Sequence, residues 1–570
     1  MDEGADRPDA DREAAIVEAC AAEPEHDIGN ARRFLARAGD DAIHVTNVGW
    51  HAFDGRRWRE DESGAITRRL AHKAAEAIFR EIEHIGPTDA EAEILARARV
   101  AADALAAPYD PRTAAKSALL KMTSDRKAWA DDVAAGDAVK ETLSGRRAAR
   151  HRHAKSSCGT TKLNAMMQEA AAYRPASVDD MNRDVYAFNV ANGTLRFACS
   201  GEDPESDPDD PRKLWCVRLD GHVRTDLISK LCPVDYDPAA RCPTWDAFLV
   251  RVQPSPLMRA YLRRLAGYSM LGLNTEQMIA FFYGIGRNGK STFIDTLARI
   301  FADYGVTLSI DSFAGEDRRG GGEATPDLAR LPGARLVSAS EPESGVRLKE
   351  ALIKRLTGGE AMPVRRLHKD FFEFSPQFTL IVSGNHKPVI IGNDDGIWRR
   401  IHLIPWNEQI PKDEVDKGLP GKLMAEAQGI LRWCVEGALD FLACGGLVAP
   451  REILDATEQY REEEDPIGSF IRNACQVTGD DADEEKPLDL YMAYETYCTA
   501  NGAVKVKDTT FYRRMPDQAR RGWPSAADPG VAAQFHRIKT DGIQVYRGIR
   551  VREEFRRRDG AHGYAEERTG

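Results

Sequence analysis

The stretch GIGRNGKST at residues 284–292 decides the fold of this chain. The residues before it, at 278–283, are apolar without alternation and lead into glycine, which is typical of a buried parallel strand entering a tight turn. Residues 293–300 then have helical spacing. Glycines let backbone N–H groups approach phosphate oxygens, and a helix N-terminus adds its positive pole. The stretch therefore predicts a strand, an anion-binding turn and a helix.

Two kinds of ligand compete for this turn. The pattern GxGxxG at 284–289 fits a dinucleotide-binding fingerprint. Asp311, which comes after the next apolar run, stands at the place in the sequence where a ribose-binding acid is expected. The pattern GxxxxGKS at 284–291 fits a P-loop, in which Lys290 reaches the β- and γ-phosphates and Ser291 ligates Mg²⁺. The second pattern makes two demands that the first does not. The sequence therefore favours a nucleoside triphosphate.

Length and composition are those of a soluble protein with several domains. A chain of 570 residues is long enough for about three to four domains. It has no apolar run long enough to span a bilayer, and its acidic start lacks the apolar segment of a secretory signal. Ten cysteines without a CxxC pair are typical of reduced thiols. We therefore expect a cytoplasmic protein without a membrane partner.

Charge is distributed unevenly along the chain. The net charge is −11, yet basic residues cluster at 146–155 and from residue 505 onward, while the first thirty residues and 462–485 are acidic. Local patches, not the total, set a phosphate-binding footprint. Each basic run is equally compatible with a solvated helix face. The charge pattern alone therefore leaves a nucleic-acid partner open.

Turn signals and composition divide the chain into segments. Asp54-Gly55 between aromatic residues and Asn192-Gly193 between apolar runs predict β-hairpins. Helix patterns followed by two short strands after residue 450 suggest a winged helix, with a small packing domain as the alternative. The predicted segments are a disordered acidic N-terminus at 1–30, a mainly helical α+β domain at 31–235, an α/β core at 240–445 and a C-terminal domain at 450–570.

Polar residues follow the predicted strands downstream of the turn. One short apolar run leads to Glu341 and Glu343, a second leads to Asn385, and Arg399 and Arg400 precede a third. Because α/β sheets bind ligands at the carboxyl ends of their strands, these side chains could serve a bound triphosphate. The alternatives are a solvated loop for the glutamates, a capping asparagine and surface ion pairs for the arginines.

The motifs carry a resemblance to a known family. They are, in order, GIGRNGKST, RLVSASEPESG, LKEALIKRLTGGE, PVRRLHKDFFEFSPQFTLIVSGNHKP and DDGIWRRIHLIPW. This series resembles the superfamily 3 helicase domain of phage and plasmid primase-helicases and their large-DNA-virus relatives. The resemblance implies an α/β P-loop ATPase core of the AAA+-like type at 240–445, with ATP and Mg²⁺ as cofactors. It also implies a ring oligomer, a hexamer, that moves 3′ to 5′ along DNA.

The resemblance assigns roles to the residues of these motifs. Lys290 and Ser291 would bind phosphate and Mg²⁺, Glu341 would be the principal acid and a further Mg²⁺ ligand, and Asn385 would be the sensor of the γ-phosphate. Either Arg399 or Arg400 would act as the arginine finger. The predicted nucleotide-binding residues are Gly284, Gly286, Asn288, Gly289, Lys290, Ser291 and Thr292.

A basic and aromatic segment follows the predicted acid. In the family that this chain resembles, the corresponding segment leads into a hairpin that tracks single-stranded DNA. Translocation that does not depend on base sequence requires contacts to phosphates and to the faces of bases. Phe372 and Phe374 are expected in the core instead. The predicted DNA-binding residues are Lys354, Arg365, His368 and Lys369.

The expected function is an ATP-dependent DNA helicase that replicates a phage, prophage or plasmid and works with other replication proteins. Primase activity is doubtful, because the region before residue 240 offers no convincing pair of metal-binding carboxylates beside strands. Two alternatives belong to other classes. One is a replication initiator or loader that uses ATP as an assembly switch, and the other is a dinucleotide-dependent oxidoreductase.

Overall fold

The N-terminal part of the chain is mainly helical and carries two small sheets. The computed structural model describes residues 7–107, 116–202, 213–315, 325–340, 345–367, 369–390, 392, 395–528, 530–540 and 542–556. The first elements are α1 (Arg7–Ala21), α2 (Asp27–Ala38), β1 (Ala42–Val45), β2 (Gly49–Phe53), β3 (Trp58–Glu60), α3 (Ala65–Ala77), α4 (Asp89–Ala106), α5 (Lys116–Ser157), α6 (Thr160–Ala171), β4 (Pro175–Ala176), β5 (Ala187–Val190), β6 (Gly193–Glu202) and β7 (Lys213–Asp220). The strand orders are β3-β2-β1-β4 and β5-β6-β7.

Both predicted hairpins of this part are confirmed. Strands β2 and β3 pair through Phe53 and Trp58, and the Asp54 carboxylate accepts hydrogen bonds from the turn amides of Arg56 and Arg57 at 3.0 and 2.9 Å. Strands β5 and β6 pair up to Gly193. The side-chain oxygen of aspartate therefore closes the first turn in the way that makes Asp-Gly a hairpin signal.

The prediction of disorder at residues 1–30 is wrong where the structure describes this segment, because α1 and the start of α2 lie there. Arg33 explains the difference. Its fully buried guanidinium donates to the Cys20 carbonyl in the last turn of α1 at 3.2 Å and to the Glu23 carbonyl just beyond the helix at 2.7 Å. Its Nε pairs with the buried Glu81 at 3.0 Å. The partners that hold α1 thus lie outside the segment itself.

The central part of the chain is built on a five-stranded parallel sheet. Its elements are α7 (Pro243–Val252), α8 (Pro256–Tyr268), β8 (Ile279–Tyr283), α9 (Lys290–Phe301), β9 (Gly305–Ser309), β10 (Leu336–Ser340), α10 (Glu350–Gly358), β11 (Met362–Arg365), β12 (Phe371–Phe374), β13 (Thr379–Gly384), α11 (Asp395–Trp398), β14 (Ile401–Pro405), α12 (Leu419–Ala425), α13 (Ala427–Cys444) and α14 (Arg451–Glu463). The strand order is β14-β8-β13-β10-β9, with β8 between β14 and β13.

Side chains alternate between two hydrophobic layers on the faces of this sheet. Ala280 and Phe282 of β8 face one layer, together with α7, α8, α9 and α13. Ile279 and Phe281 face the other, together with α10 and the hairpin of β11 and β12. Because both faces are covered, the strand reads as a continuous apolar run. The predicted parallel strand at this position is confirmed.

The contact between α8 and α13 leaves no space for a side chain at Gly267. A Cβ atom there would lie 1.9 Å from the backbone nitrogen of Ala438. We expect Gly267→Ala to lower the free energy of unfolding by about 3 kcal/mol, because the two backbones must move apart. Thermal denaturation followed by circular dichroism measures the loss.

Gly421 provides the matched control, because it lies in α12 and a Cβ atom there would meet nothing within 4 Å. Gly421→Ala should leave the midpoint unchanged or raise it slightly, since alanine is the better helix former. Equal midpoints for Gly267→Ala and wild type would contradict the proposed close contact.

The C-terminal part has its own hydrophobic core, which includes Phe470, Tyr494 and Phe511. Strands β19 and β20 form the predicted antiparallel pair, and α17 continues through Pro516. Its elements are α15 (Pro466–Ala474), β15 (Cys475–Val477), β16 (Glu484–Glu485), α16 (Pro487–Asn501), α17 (Asp508–Ala519), β17 (Trp523–Pro524), β18 (Ala532–Ala533), β19 (His536–Thr540), β20 (Ile543–Arg547) and β21 (Ile549–Val551). Among the described helices of the whole chain, none has the length and apolar character needed to cross a membrane.

Candidate active site

The Gly-rich turn connects the carboxyl end of β8 to the first turn of α9. Gly289 precedes the helix with φ of +86°, a conformation that L side chains rarely adopt. A Cβ atom there would also lie 2.7 Å from Val252 Cγ1. Glycine is therefore required at this position both by the backbone and by the helix α7 behind it. The predicted strand, turn and helix are confirmed.

The side chain of Lys290 lies buried within this turn, with 5% of its surface exposed. Its ammonium donates to the Gly284 carbonyl at 2.5 Å and to Asn288 Oδ1 at 3.1 Å. A third acceptor, Asn385 Oδ1, lies at 3.4 Å. The positive charge is thus held beside the backbone amides at the start of α9. A phosphate group at this position would contact both the ammonium group and the amides.

Asn385 reaches the turn because of the strand order. Strand β13 is the neighbour of β8, and Gly384 pairs with Tyr283 at the ends of the two strands. The residue that follows β13 therefore stands beside the turn, and Asn385 Oδ1 accepts a hydrogen bond from the Gly286 amide at 3.3 Å. The structure brings this predicted sensor together with Lys290.

A segment after β14 supports the outer side of the turn. Asn288 Nδ2 donates to the Trp406 carbonyl at 2.9 Å. Gln409 Nε2 donates to the Ile285 carbonyl at 3.1 Å, and the Ile410 amide donates to the Arg287 carbonyl at 2.7 Å. These contacts were not predicted from the sequence. The only available signal was the β14 strand pattern, whose place beside β8 a single sequence does not reveal.

The remaining predicted ligands of the nucleotide differ in position. Ser291 is exposed and Thr292 is half-buried on the first turn of α9, so the Ser291 hydroxyl is accessible as a ligand for Mg²⁺. Glu341 and Glu343 lie outside the described residues. Within the described ranges, no group of three or more His, Cys, Asp or Glu side chains is arranged to hold a metal ion.

The dinucleotide interpretation does not fit the strand order. Asp311 follows β9, which lies at the edge of the sheet, and β13 and β10 separate β9 from β8. Three strand spacings amount to about 14 Å, whereas a ribose-binding acid follows the strand next to the Gly-rich turn. The Asp311 carboxylate instead accepts a hydrogen bond from Ser309 Oγ at 3.0 Å.

The two candidate finger arginines have different environments. Arg400 is buried, and its guanidinium donates to Thr357 Oγ1 at 3.1 Å and to Gln277 Oε1 at 3.2 Å. Arg399 is exposed and donates to the same Gln277 oxygen at 3.2 Å. Arg400 therefore joins α10 to the start of β14, while the Arg399 side chain stands at the surface.

Two of the predicted DNA-binding residues, Arg365 and Lys369, lie in the hairpin of β11 and β12, whereas Lys354 is half-buried on α10. Arg365 Nε donates to the Lys369 carbonyl at 2.9 Å, and its guanidinium lies 5.2 Å from the centre of the Phe371 ring. Phe371 is 41% exposed. His368 lies outside the described residues. The expected core positions of Phe372 and Phe374 are confirmed, with 6% and 2% exposure.

This hairpin rests against the N-terminal sheet. Lys369 Nζ donates to the Val48 carbonyl at 2.9 Å, and Arg366 Nη2 lies 3.0 Å from the Glu60 carboxylate on β3. Burial raises the pKa of Glu60, but the hydrogen bond and charge of Arg366 outweigh burial, so the pKa is lowered overall. Glu60 therefore stays ionised and paired. This contact joins residues 306 positions apart and was not predicted from the sequence.

Two stretches of the chain match known protein families. Residues 31–254 match the family model described as "D5 N terminal like", and residues 282–400 match a family described as of unknown function. "Putative helicase L207/L206" of Acanthamoeba polyphaga mimivirus is 26% identical over 380 residues, which cover 62% of this chain and 38% of that protein. "Putative helicase 022R" of Frog virus 3 (isolate Goorha) is 24% identical over 312 residues, or 49% and 31% of the two chains.

The chain spans well under half of the length of these two viral relatives. Among solved structures, the apo C-terminal region of NrS-1 is similar with a TM-score of 0.36 and 15% identity, covering 55% of this chain and 77% of that one. The resemblance to the phage, plasmid and large-DNA-virus primase-helicase family is confirmed by the family model and the viral relatives.

Proposed function

We propose that this protein is an ATP-dependent DNA helicase that acts in the replication of a phage, prophage or plasmid. The observation that carries the proposal is the convergence of Lys290 and Asn385 on one turn, at the carboxyl edge of a parallel sheet and at the N-terminus of α9. A buried lysine and an amide at such a turn suit a triphosphate. The similarity to viral proteins named as helicases supports DNA unwinding as the coupled work.

Each side chain of the site would contribute one element of phosphoryl transfer. The backbone amides at 286–291 would bind phosphate oxygens, and Lys290 would exchange its present acceptors for the β- and γ-phosphates. Ser291, with Glu341, would hold Mg²⁺, which when bound neutralises charge on the phosphates. Asn385 would orient the attacking water. Catalysis in this class rests on positioning and electrostatic stabilisation.

The remaining machinery would lie at the edges of the core. Arg399 would reach the nucleotide of a neighbouring subunit in a ring, for which we propose a hexamer. The exposed Phe371 and the basic residues of the β11–β12 hairpin would contact the bases and phosphates of single-stranded DNA. The two helices α16 and α17 and the β19–β20 pair would form a winged-helix-like domain that adds a second DNA contact.

ATP turnover with and without single-stranded DNA, measured beside the mass of the oligomer and unwinding of a forked duplex, tests the proposal. We expect turnover that DNA stimulates, a closed oligomer and strand separation. ATP-dependent assembly on DNA without strand separation would instead identify a loader, and binding of nicotinamide nucleotides without ATP hydrolysis would contradict the proposal.

Replacement of Lys369 should reduce the response of the ATPase to DNA. In Lys369→Ala protein, the ratio of turnover with and without single-stranded DNA should fall towards one, because the ammonium group that would exchange the Val48 carbonyl for a DNA phosphate is removed. The control is Lys127→Ala, which removes an exposed lysine from α5. Full stimulation of the Lys369→Ala protein by DNA would show that the hairpin is not the DNA contact.

A further inference from the structure

A second candidate site lies between the N-terminal sheet and the core. It is a cavity of about 960 Å³, bounded by β2, β3 and the start of α3 on one side and by residues 326–332 of the core on the other. The loop at 229–230 contributes to its wall. The Gly-rich turn at 284–289 contributes no residue to it. The cavity is therefore separate from the proposed nucleotide site.

Cationic side chains dominate the wall of this cavity. Two of them are paired, Arg57 with Asp303 and Arg366 with Glu60. The other four come from β3, α3, the 229–230 loop and the 328–330 turn, and their side chains make no hydrogen bond or ion pair within the described part of the chain. The six cationic residues are Arg57, Arg59, Arg69, Lys230, Arg330 and Arg366.

The acidic residues of the wall offset only part of this positive charge. Glu60 and Asp303 belong to the two ion pairs, and Asp61 accepts hydrogen bonds from the amides of Ile66 and Thr67 at the start of α3, at 3.1 and 2.8 Å. Only the exposed Glu62 then remains among the acids that line the cavity. Six cationic and four acidic residues line the cavity, so its wall carries a net excess of two positive charges.

The ammonium group of Lys230 is partly removed from water. Its side chain is packed so that a Cβ atom on Gly333 would lie 3.0 Å from Lys230 Cε. Burial lowers the pKa of Lys230 to about 8, although the negative charge of Glu60 acts in the opposite direction. Desolvating an ammonium group beside other cations costs free energy, which a bound anion would offset. The wall is thus arranged for a ligand with several negative charges.

We infer that this cavity binds phosphate groups, either of a free polyphosphate or of a nucleic-acid backbone. Among the described residues that line it, only His51 and Phe372 are aromatic, and both are buried, with 5% and 6% exposure. They offer no ring face on which a base could stack. The ligand is therefore held through its phosphates and not through its bases.

Phosphate binding can be measured without ATP turnover. The Lys290→Ala protein, whose Gly-rich turn is impaired, is titrated with labelled oligothymidylate and with inorganic tripolyphosphate as competitor. In this background, Lys230→Met and Arg330→Gln are compared with Lys127→Met and Arg97→Gln, which replace exposed residues of α5 and α4. Because Arg330 is exposed, its replacement should not disturb folding, so a loss of binding is interpretable.

We expect each cavity variant to weaken phosphate binding about tenfold and to reduce its salt dependence, because one phosphate contact is lost. The control variants should bind as the parent protein does. Weakened tripolyphosphate binding would identify a free polyphosphate as the ligand, and weakened oligothymidylate binding alone would identify the nucleic-acid backbone. Both ligands binding to the cavity variants as tightly as to the controls would overturn the inference, whatever the ATPase assay shows.

Discussion

Lys290→Ala protein should hydrolyse ATP at least about a hundredfold more slowly than wild type, because one preorganised charge that stabilises the transition state is typically worth 10²–10³ in rate. The structure places this ammonium inside the turn, with acceptors at 2.5 Å on Gly284 and 3.1 Å on Asn288. No other cation occupies that position among the residues described around the turn. Phosphate release at saturating ATP, with single-stranded DNA present, measures the loss.

The burial of Lys290 determines how this result must be controlled. The lysine is buried, so alanine leaves a small cavity and an unpaired carbonyl at Gly284, and the thermal midpoint has to be compared with that of wild type. Lys127→Ala again serves as the matched lysine replacement at an exposed position of α5. Unwinding by a folded Lys290→Ala protein at the wild-type rate would contradict the helicase proposal.

The parts of the site that the sequence predicts are those encoded locally. The residues at 278–292 contain the strand, the turn and the start of the helix, so the turn could be identified without any partner. Asn385 could be predicted because an apolar run ends directly before it, and parallel strands end at one edge of a sheet. In both cases the residues that determine the structure lie within about ten positions of the residue that acts.

The parts that the sequence does not reveal depend on distant residues. Helix α1 is held by Arg33 and, through it, by Glu81, which composition at 1–30 cannot disclose. The pairing of Arg366 with Glu60 depends on how two domains pack. The difference between Arg399 and Arg400 depends on whether α10 covers the side chain, and adjacent residues of the same type give no signal of it.

Arg399→Ala should reduce ATP turnover at least about a hundredfold while leaving stability unchanged, because an arginine finger acts on charge in the transition state. The exposed side chain makes one hydrogen bond, to Gln277 at 3.2 Å. Arg400→Ala should instead lower the thermal midpoint, because it removes a buried guanidinium that donates to Thr357 Oγ1 and Gln277 Oε1. Turnover and thermal denaturation of the two variants, measured side by side, separate the two roles.

Mixing of subunits tests whether Arg399 acts on a neighbour. Lys290→Ala subunits keep an intact Arg399, and Arg399→Ala subunits keep an intact Gly-rich turn. In a ring with head-to-tail interfaces, random mixing of equal amounts restores about a quarter of the sites, because an intact turn then meets an intact arginine across the interface. Turnover should therefore reappear on mixing two inactive proteins. If Arg399 served only the nucleotide of its own subunit, no site in any mixed ring would contain both residues, and the mixture would stay inactive.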